Sequence, residues 1–157
     1  MEKAPMTLEG YNSLEAELKR LKTTERPDVI KAIAVAREHG DLSENAEYHA
    51  ARERQAFIEG RVGTIEDLLS RAEVIDVTSI KGKIIKFGAT LRVADEDTDE
   101  KTTYQIVGEH EADIKSSKLS ITSPMARAMI GKTVGDSVEV TTPGGTKSYE
   151  IIAVKYN

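Results

Sequence analysis

Asp41 and Glu44 are two carboxylates three residues apart, with Arg37 before them and Arg52 after. Oxygen-rich pairs of this kind can supply part of the shell of a hard divalent cation such as Mg²⁺. Two carboxylates alone would bind it poorly, so their use as ligands implies a second protein that provides the rest. A competing explanation needs no metal: Asp-x-x-Glu at the start of a helix is a capping box, and spacing alone favours that reading. Two features weigh against it. The acids stand at the end of a long lever with little core to protect, and Leu42 sits between them, an odd residue for a solvated turn. Arg37 and Arg52 can pair with glutamates, as is the safer reading for Arg54 and Arg61, or present guanidinium forks to phosphate. The histidines, His39, His49 and His110, form no His-x-x-x-His pair, and those near helix ends are ordinarily solvated or complement the dipole.

The elements that must position these residues are two helical arms. His39, Gly40 and Asp41 can reverse the chain, because Gly40 tolerates positive φ at a helix C-terminus, and Asp41 is then a candidate N-cap for a helix from about Ser43 to Ala72. After the tip, Tyr48, Ala51, Gln55, Ile58, Val62, Ile65, Leu69 and Ala72 recur in steps of three and four. Before it, Tyr11, Leu14, Leu18, Leu21, then Val29, Ile33 and Ala36, keep the same alternation. This is a coiled-coil seam, and the short connection makes each arm the partner of the other. Pro27 lacks a backbone donor and disfavours a helical Arg26, which predicts a kink or short break near Thr23 to Pro27. Gly60 and Gly63 inside the second arm would suit close approach of another backbone.

Composition narrows the function classes. The 157 residues carry a net charge of −5, with 39% apolar, 31% charged and only 4% aromatic residues, and no Cys or Trp. Without cysteine there is no disulfide framework, thiol catalysis or Cys-ligated zinc. The negative balance argues against unaided duplex binding through a broad basic face, and the few aromatics against a base-stacking platform. There is no Gly-rich phosphate loop or nucleophile elbow. No apolar run approaches membrane-spanning length and the first residues are no signal peptide, so a cytoplasmic protein is expected.

From Val74 the pattern changes to β-branched residues punctuated by Gly82 and Gly88. Strands are expected at Ala89 to Ala94 and Thr102 to Val107 around an acidic turn, and at Leu119 to Thr122. Ser123-Pro124 should open a short helix ending at Gly131. A last hairpin should turn at Thr-Pro-Gly-Gly. The expected fold class is α+β: a coiled-coil hairpin over 1–76, with its functional tip near 38–46, then a twisted, mostly antiparallel sheet with one short helix over 77–157.

Specific stretches resemble a bacterial Gre transcript-cleavage factor of the GreA type. They are Met-Thr-Leu-Glu-Gly-Tyr at 6–11, Arg-Pro-Asp-Val-Ile at 26–30, the tip sequence 36–53, Phe-Gly-Ala-Thr at 87–90, Ile-Val-Gly at 106–108, Ser-Pro-Met-Ala-Arg-Ala at 123–128 and Thr-Pro-Gly-Gly at 142–145. The resemblance implies an FKBP-like C-terminal domain that docks at the rim of the RNA polymerase secondary channel while the hairpin enters it. It implies that Asp41 and Glu44 help to hold a second Mg²⁺, kept mainly by the polymerase, and position the attacking water. Arg37 and Arg52 match a basic patch that contacts the displaced 3′ end of the nascent RNA, and Ser123, Pro124, Met125 and Arg127 match a polymerase-docking segment. The small basic patch favours the GreA over the GreB subtype. The free protein would then be monomeric, bind no cofactor and have no activity of its own. A channel-blocking inhibitor of the same architecture is the first rival, ranked lower because both tip acids are present. A prolyl isomerase and a plain coiled-coil adaptor rank lower still.

Overall fold

The computed structural model describes residues 2–41 and 44–157. Two compact units emerge: Tyr11–Ala72 with the N-terminal residues through Lys3, and Ala4–Gly10 with Glu73–Asn157.

The helical unit is an antiparallel hairpin. Its first arm begins where the Thr7 hydroxyl accepts the Gly10 N–H at 3.0 Å, capping α1 (Leu8–Arg20). The kink or break expected before Pro27 takes a different form. The arm passes through a π-helical turn at Leu21–Glu25, where the Arg26 N–H bonds the Leu21 carbonyl, and continues as α2 (Arg26–Arg37). The wider turn suits a proline, which has no N–H to give and whose ring crowds the carbonyl four residues back in an α-helix. The second arm is α3 (Ala46–Ser70), roughly 37 Å long at 1.5 Å per residue.

Leu14, Leu21, Val29, Ile33 and Ala36 from the first arm are buried, as are Ala51, Ile58, Val62 and Ile65 from the second. These are the residues of the three–four alternation. Charged pairs flank the seam: Arg61 is bidentate to Glu17 (2.6 and 2.8 Å) and Arg26 to Glu59 (2.8 and 2.7 Å), while Lys22 meets Glu66 at 3.1 Å. Arg61 thus pairs as expected. Arg54 does not, having no carboxylate partner among the described residues.

The second unit is built on a five-stranded sheet ordered β5-β4-β3-β7-β6. Its strands are β3 (Thr90–Asp95), β4 (Lys101–Val107), β5 (Lys118–Ser120), β6 (Ser137–Thr142) and β7 (Gly145–Lys155). Only β4–β5 is parallel. The β3–β7 register shifts between Arg92 and Val93, a bulge that adds twist to the curled sheet. The short helix α4 (Pro124–Met129) sinks Ala126 and Met129 completely into a core shared with Ile85, Leu91, Val93, Ile106, Ile151 and Val154.

An extra two-stranded sheet was not foreseen from the sequence. It pairs β1 (Ala4–Thr7) with β2 (Ala72–Ile75). The Glu111 carboxylate accepts from the Thr7 N–H (3.1 Å), the Thr7 hydroxyl and the Gly108 N–H (3.0 Å). A Cβ on Gly10 would stand 2.1 Å from a Glu111 oxygen, so the glycine is what lets the carboxylate reach the helix start.

Gly60 and Gly63 correct another expectation. No atom lies within 4 Å of the place a Cβ would occupy at either position, so neither serves close approach of a backbone. Both stand in the interior of α3, where glycine wastes backbone entropy. Gly60→Ala and Gly63→Ala should therefore each stabilise the protein, by about 0.5–1 kcal/mol. Chemical denaturation checks this: an unchanged or lower midpoint would mean that these positions are constrained by something other than helix propensity.

Candidate functional site at the hairpin tip

The last turn of α2 closes with the Glu38 and His39 N–H groups bonded to Val35 and Ala36 carbonyls, both at 3.1 Å. Gly40 then adopts φ +99°, the left-handed conformation that its lack of a side chain permits. Leu42 and Ser43 lie outside the described residues.

The chain re-enters helix later than the spacing suggested. The N-cap of α3 is Asn45, whose side-chain oxygen accepts the Tyr48 N–H at 3.0 Å. Its side-chain nitrogen donates to the Ala36 carbonyl at 2.7 Å. One side chain therefore caps the second arm and satisfies a carbonyl at the end of the first. This corrects the capping-box reading of Asp41 and Glu44: both precede the N-cap, and both are solvent-exposed. They line an open depression with His39, Asn45, Ala46 and Glu47. The pair presents the hard oxygen donors that a divalent cation takes. Among the described residues no group of three or more His, Cys, Asp or Glu side chains is placed to hold a metal ion.

The structure brings Arg37 and Arg52 together around one ring. Arg37 is the last residue of α2. Its guanidinium carbon stands 5.9 Å from the centroid of Tyr48, and that of Arg52 stands 5.8 Å away. Arg52 also donates to the Tyr48 hydroxyl at 2.8 Å. These contacts lower the Tyr48 pKa from the usual phenol range, first through the hydrogen bond from Arg52 and then that from Arg37. Neither arginine is in an ion pair among the described residues. Tyr48, which the alternation had assigned to the seam, is thus the platform on which the two cations sit. The signal was present in the four-residue spacing of Tyr48 and Arg52, which puts them on one helix face.

Residues 4–74 match the family described as transcription elongation factor, N-terminal, and residues 80–156 match transcription elongation factor, GreA/GreB, C-term. The chain belongs to the GreA/GreB family. The GreA transcription elongation factor of Caulobacter vibrioides is 65% identical over 156 residues, covering 99% of each chain. That of Ruegeria pomeroyi is 65% identical over 157 residues, covering all of both. These likenesses make the chain a bacterial GreA-type factor. The solved structure of GreA factor homolog 1 of Thermus thermophilus is 28% identical, with 98% of this chain and 99% of that one covered at a TM-score of 0.45.

In this GreA-type chain the suspected docking segment has divided roles. Ser123 is the N-cap of α4, accepting the Ala126 N–H at 3.2 Å and donating to the Ser120 carbonyl at 2.7 Å. Met125 is partly buried against the core, whereas Pro124 and Arg127 are exposed. Only the latter pair is fully available to a partner.

Two outcomes follow at the tip. Asn45→Ala should destabilise the hairpin by about 1–2 kcal/mol, and Asn45→Asp, which keeps the cap acceptor but cannot donate to Ala36, should fall between it and the wild type. Thermal melts of the three proteins decide; equal losses for Ala and Asp would mean that the link to Ala36 alone matters. In a spectroscopic pH titration of the five tyrosines, Tyr48 should ionise earliest, because neighbouring positive charge favours phenolate. Tyr156, whose pKa burial raises, should ionise late. Tyr48→Phe should delete the early phase and Arg52→Met should move it to higher pH. An early phase that survives in Tyr48→Phe would contradict the arrangement.

Proposed function

We propose that this protein stimulates the hydrolysis of backtracked nascent RNA by RNA polymerase, with the hairpin tip inserted through the secondary channel and the globular unit held at its rim. The observation that carries this reading is the cap: Asn45, not Asp41, is the N-cap of α3, and both acids are exposed at the apex. Membership of the elongation-factor family supplies the polymerase as partner.

In the complex Asp41 and Glu44 would share the holding of a Mg²⁺ ion with ligands of the polymerase, and orient the attacking water. A second divalent cation supplies two-metal catalysis, activating the water and stabilising the leaving oxygen. The chain's own part is to deliver two negative charges to a site where the polymerase's ligands are incomplete. Arg37 and Arg52, fixed beside Tyr48, hold a phosphate of the displaced RNA 3′ end, for which the planar guanidinium is well shaped. The protein would act as a cytoplasmic monomer without catalysis in the absence of polymerase. No helix among the described residues is long and apolar enough to cross a membrane.

The test is a backtracked elongation complex mixed with wild type or with Asp41→Asn/Glu44→Gln. Neither substitution touches the α3 cap, so helicity and competition with wild type for polymerase should be retained. Cleavage should fall by about a hundredfold or more, the scale on which lost electrostatic stabilisation appears in rates. Shortened transcripts at the wild-type rate would remove the tip acids from the reaction. Absence of shortening by the wild type would remove the function.

A further inference from the structure

The hairpin carries a face that neither its seam nor its tip uses. Glu47, Ala50, Arg54 and Phe57 follow one another on α3 in steps of three and four, which sets them along one stripe of the helix. All four are exposed. At 71%, Phe57 is the most exposed large hydrophobic side chain among the described residues. At the other end of the stripe Glu47 lines an open hollow with Asp28, Lys31, Ala32, Val35 and Ala36 of α2. Val35 is itself 46% exposed, so the hollow offers an aliphatic wall to whatever enters it. The face therefore has an aromatic knob and a small-residue hole. Its charges are divided in the same way. Arg54, one turn from the knob, meets no carboxylate among the described residues, and Asp28, on the rim of the hole, meets no cation there. With Glu47 beside it and only Lys31 opposed, that rim is negative.

We infer that this face is an interface between two copies of the chain, with Phe57 of each copy seated in the hollow of the other. The occupant is a second copy because knob, hole and opposite charges all lie on one face, which is what a self-complementary patch requires. A two-fold axis makes the contact twice and closes it. Seating the ring removes apolar surface from water on both sides. It also carries each Arg54 toward the acidic rim of the other copy's hollow. Two helical hairpins joined in this way form a four-helix bundle. Nucleic acid fits poorly, because its phosphates would face that negative rim. The pairing departs from the monomer that the family resemblance implies for the free protein. Its consequence for activity rests on the proposed function: a bundle of four helices is held out of a channel that one hairpin enters, so the dimer is a reserve and the monomer the acting form.

The experiment is sedimentation velocity of the full-length protein without polymerase, from roughly 1 μM to 1 mM, the range in which weak associations titrate. The wild type should pass from the monomer mass to the dimer mass as concentration rises. Phe57→Ser should raise the dissociation constant by about tenfold or more, as loss of a buried aromatic anchor does. Arg54→Glu should raise it by about tenfold at low salt and by less at high salt. Asp28→Arg/Arg54→Glu, which restores opposite charges across the interface, should return it to within about threefold of the wild type. Thermal melts and helicity show that each variant is folded. A wild type with the monomer mass at every concentration overturns the inference and leaves the proposed function standing. A dimer that forms equally well in Phe57→Ser also overturns it. So does a wild type that stays monomeric while Phe57→Ser loses affinity for core polymerase, which would give this face to the polymerase.

Discussion

The bifurcated use of one amide, Asn45, is the constraint on which the tip depends. Its oxygen caps α3 and its nitrogen satisfies the Ala36 carbonyl, so the end of one arm and the start of the other are joined by a single side chain. A helix start left uncapped loses an acceptor for its orphan N–H groups, and a carboxylate at the tip would otherwise be recruited to supply it. With Asn45 in that role, two acids can stand at the apex without being needed to start the helix. The cap and the two exposed acids are thereby different side chains within five residues.

The seam below it does the same for the arms. Small and aliphatic residues take the interior, while Arg26, Arg61 and Lys22 hold Glu59, Glu17 and Glu66 across the flanks. The π turn at Leu21–Glu25 lets the first arm carry Pro27 without interrupting the burial that runs from Leu21 to Val29. Two cations near the tip are left outside this pairing. Arg37 and Arg52 rest on Tyr48.

Much of this was legible in the residues. The three–four alternation named the buried positions of both arms because a hairpin with a short connection offers each arm only one partner. The strands around the Asp95–Glu100 turn and the helix opened by Ser123-Pro124 were readable because local turn and cap chemistry sets them. What the sequence hid was non-local or degenerate. Asp41 and Asn45 are both good N-caps, and only the placement of Ala36 decides between them. The pairing of Ala4–Thr7 with Ala72–Ile75 joins the segment just before the first arm to the segment just after the second, far apart in sequence. The Thr7 hydroxyl accepts locally from the Gly10 N–H, but its bond to Glu111 spans over a hundred residues. A proline in a helix predicts disruption, and whether that is a break or a wider turn is settled by the packing on either side of it.

The central claim is that Asp41 and Glu44 act as partial ligands of a cation completed by the polymerase. It is tested most directly by the Mg²⁺ dependence of transcript cleavage in a backtracked complex, measured without factor, with wild type and with Glu44→Gln. If the acids contribute ligands, wild type should shift half-saturation to lower Mg²⁺. Glu44→Gln should move it back toward the factor-free value, with its rate rising toward wild type as Mg²⁺ is raised, because mass action offsets a weakened site. A Glu44→Gln protein whose half-saturation equals that of wild type, with the rate depressed equally at every Mg²⁺ concentration, would contradict the account.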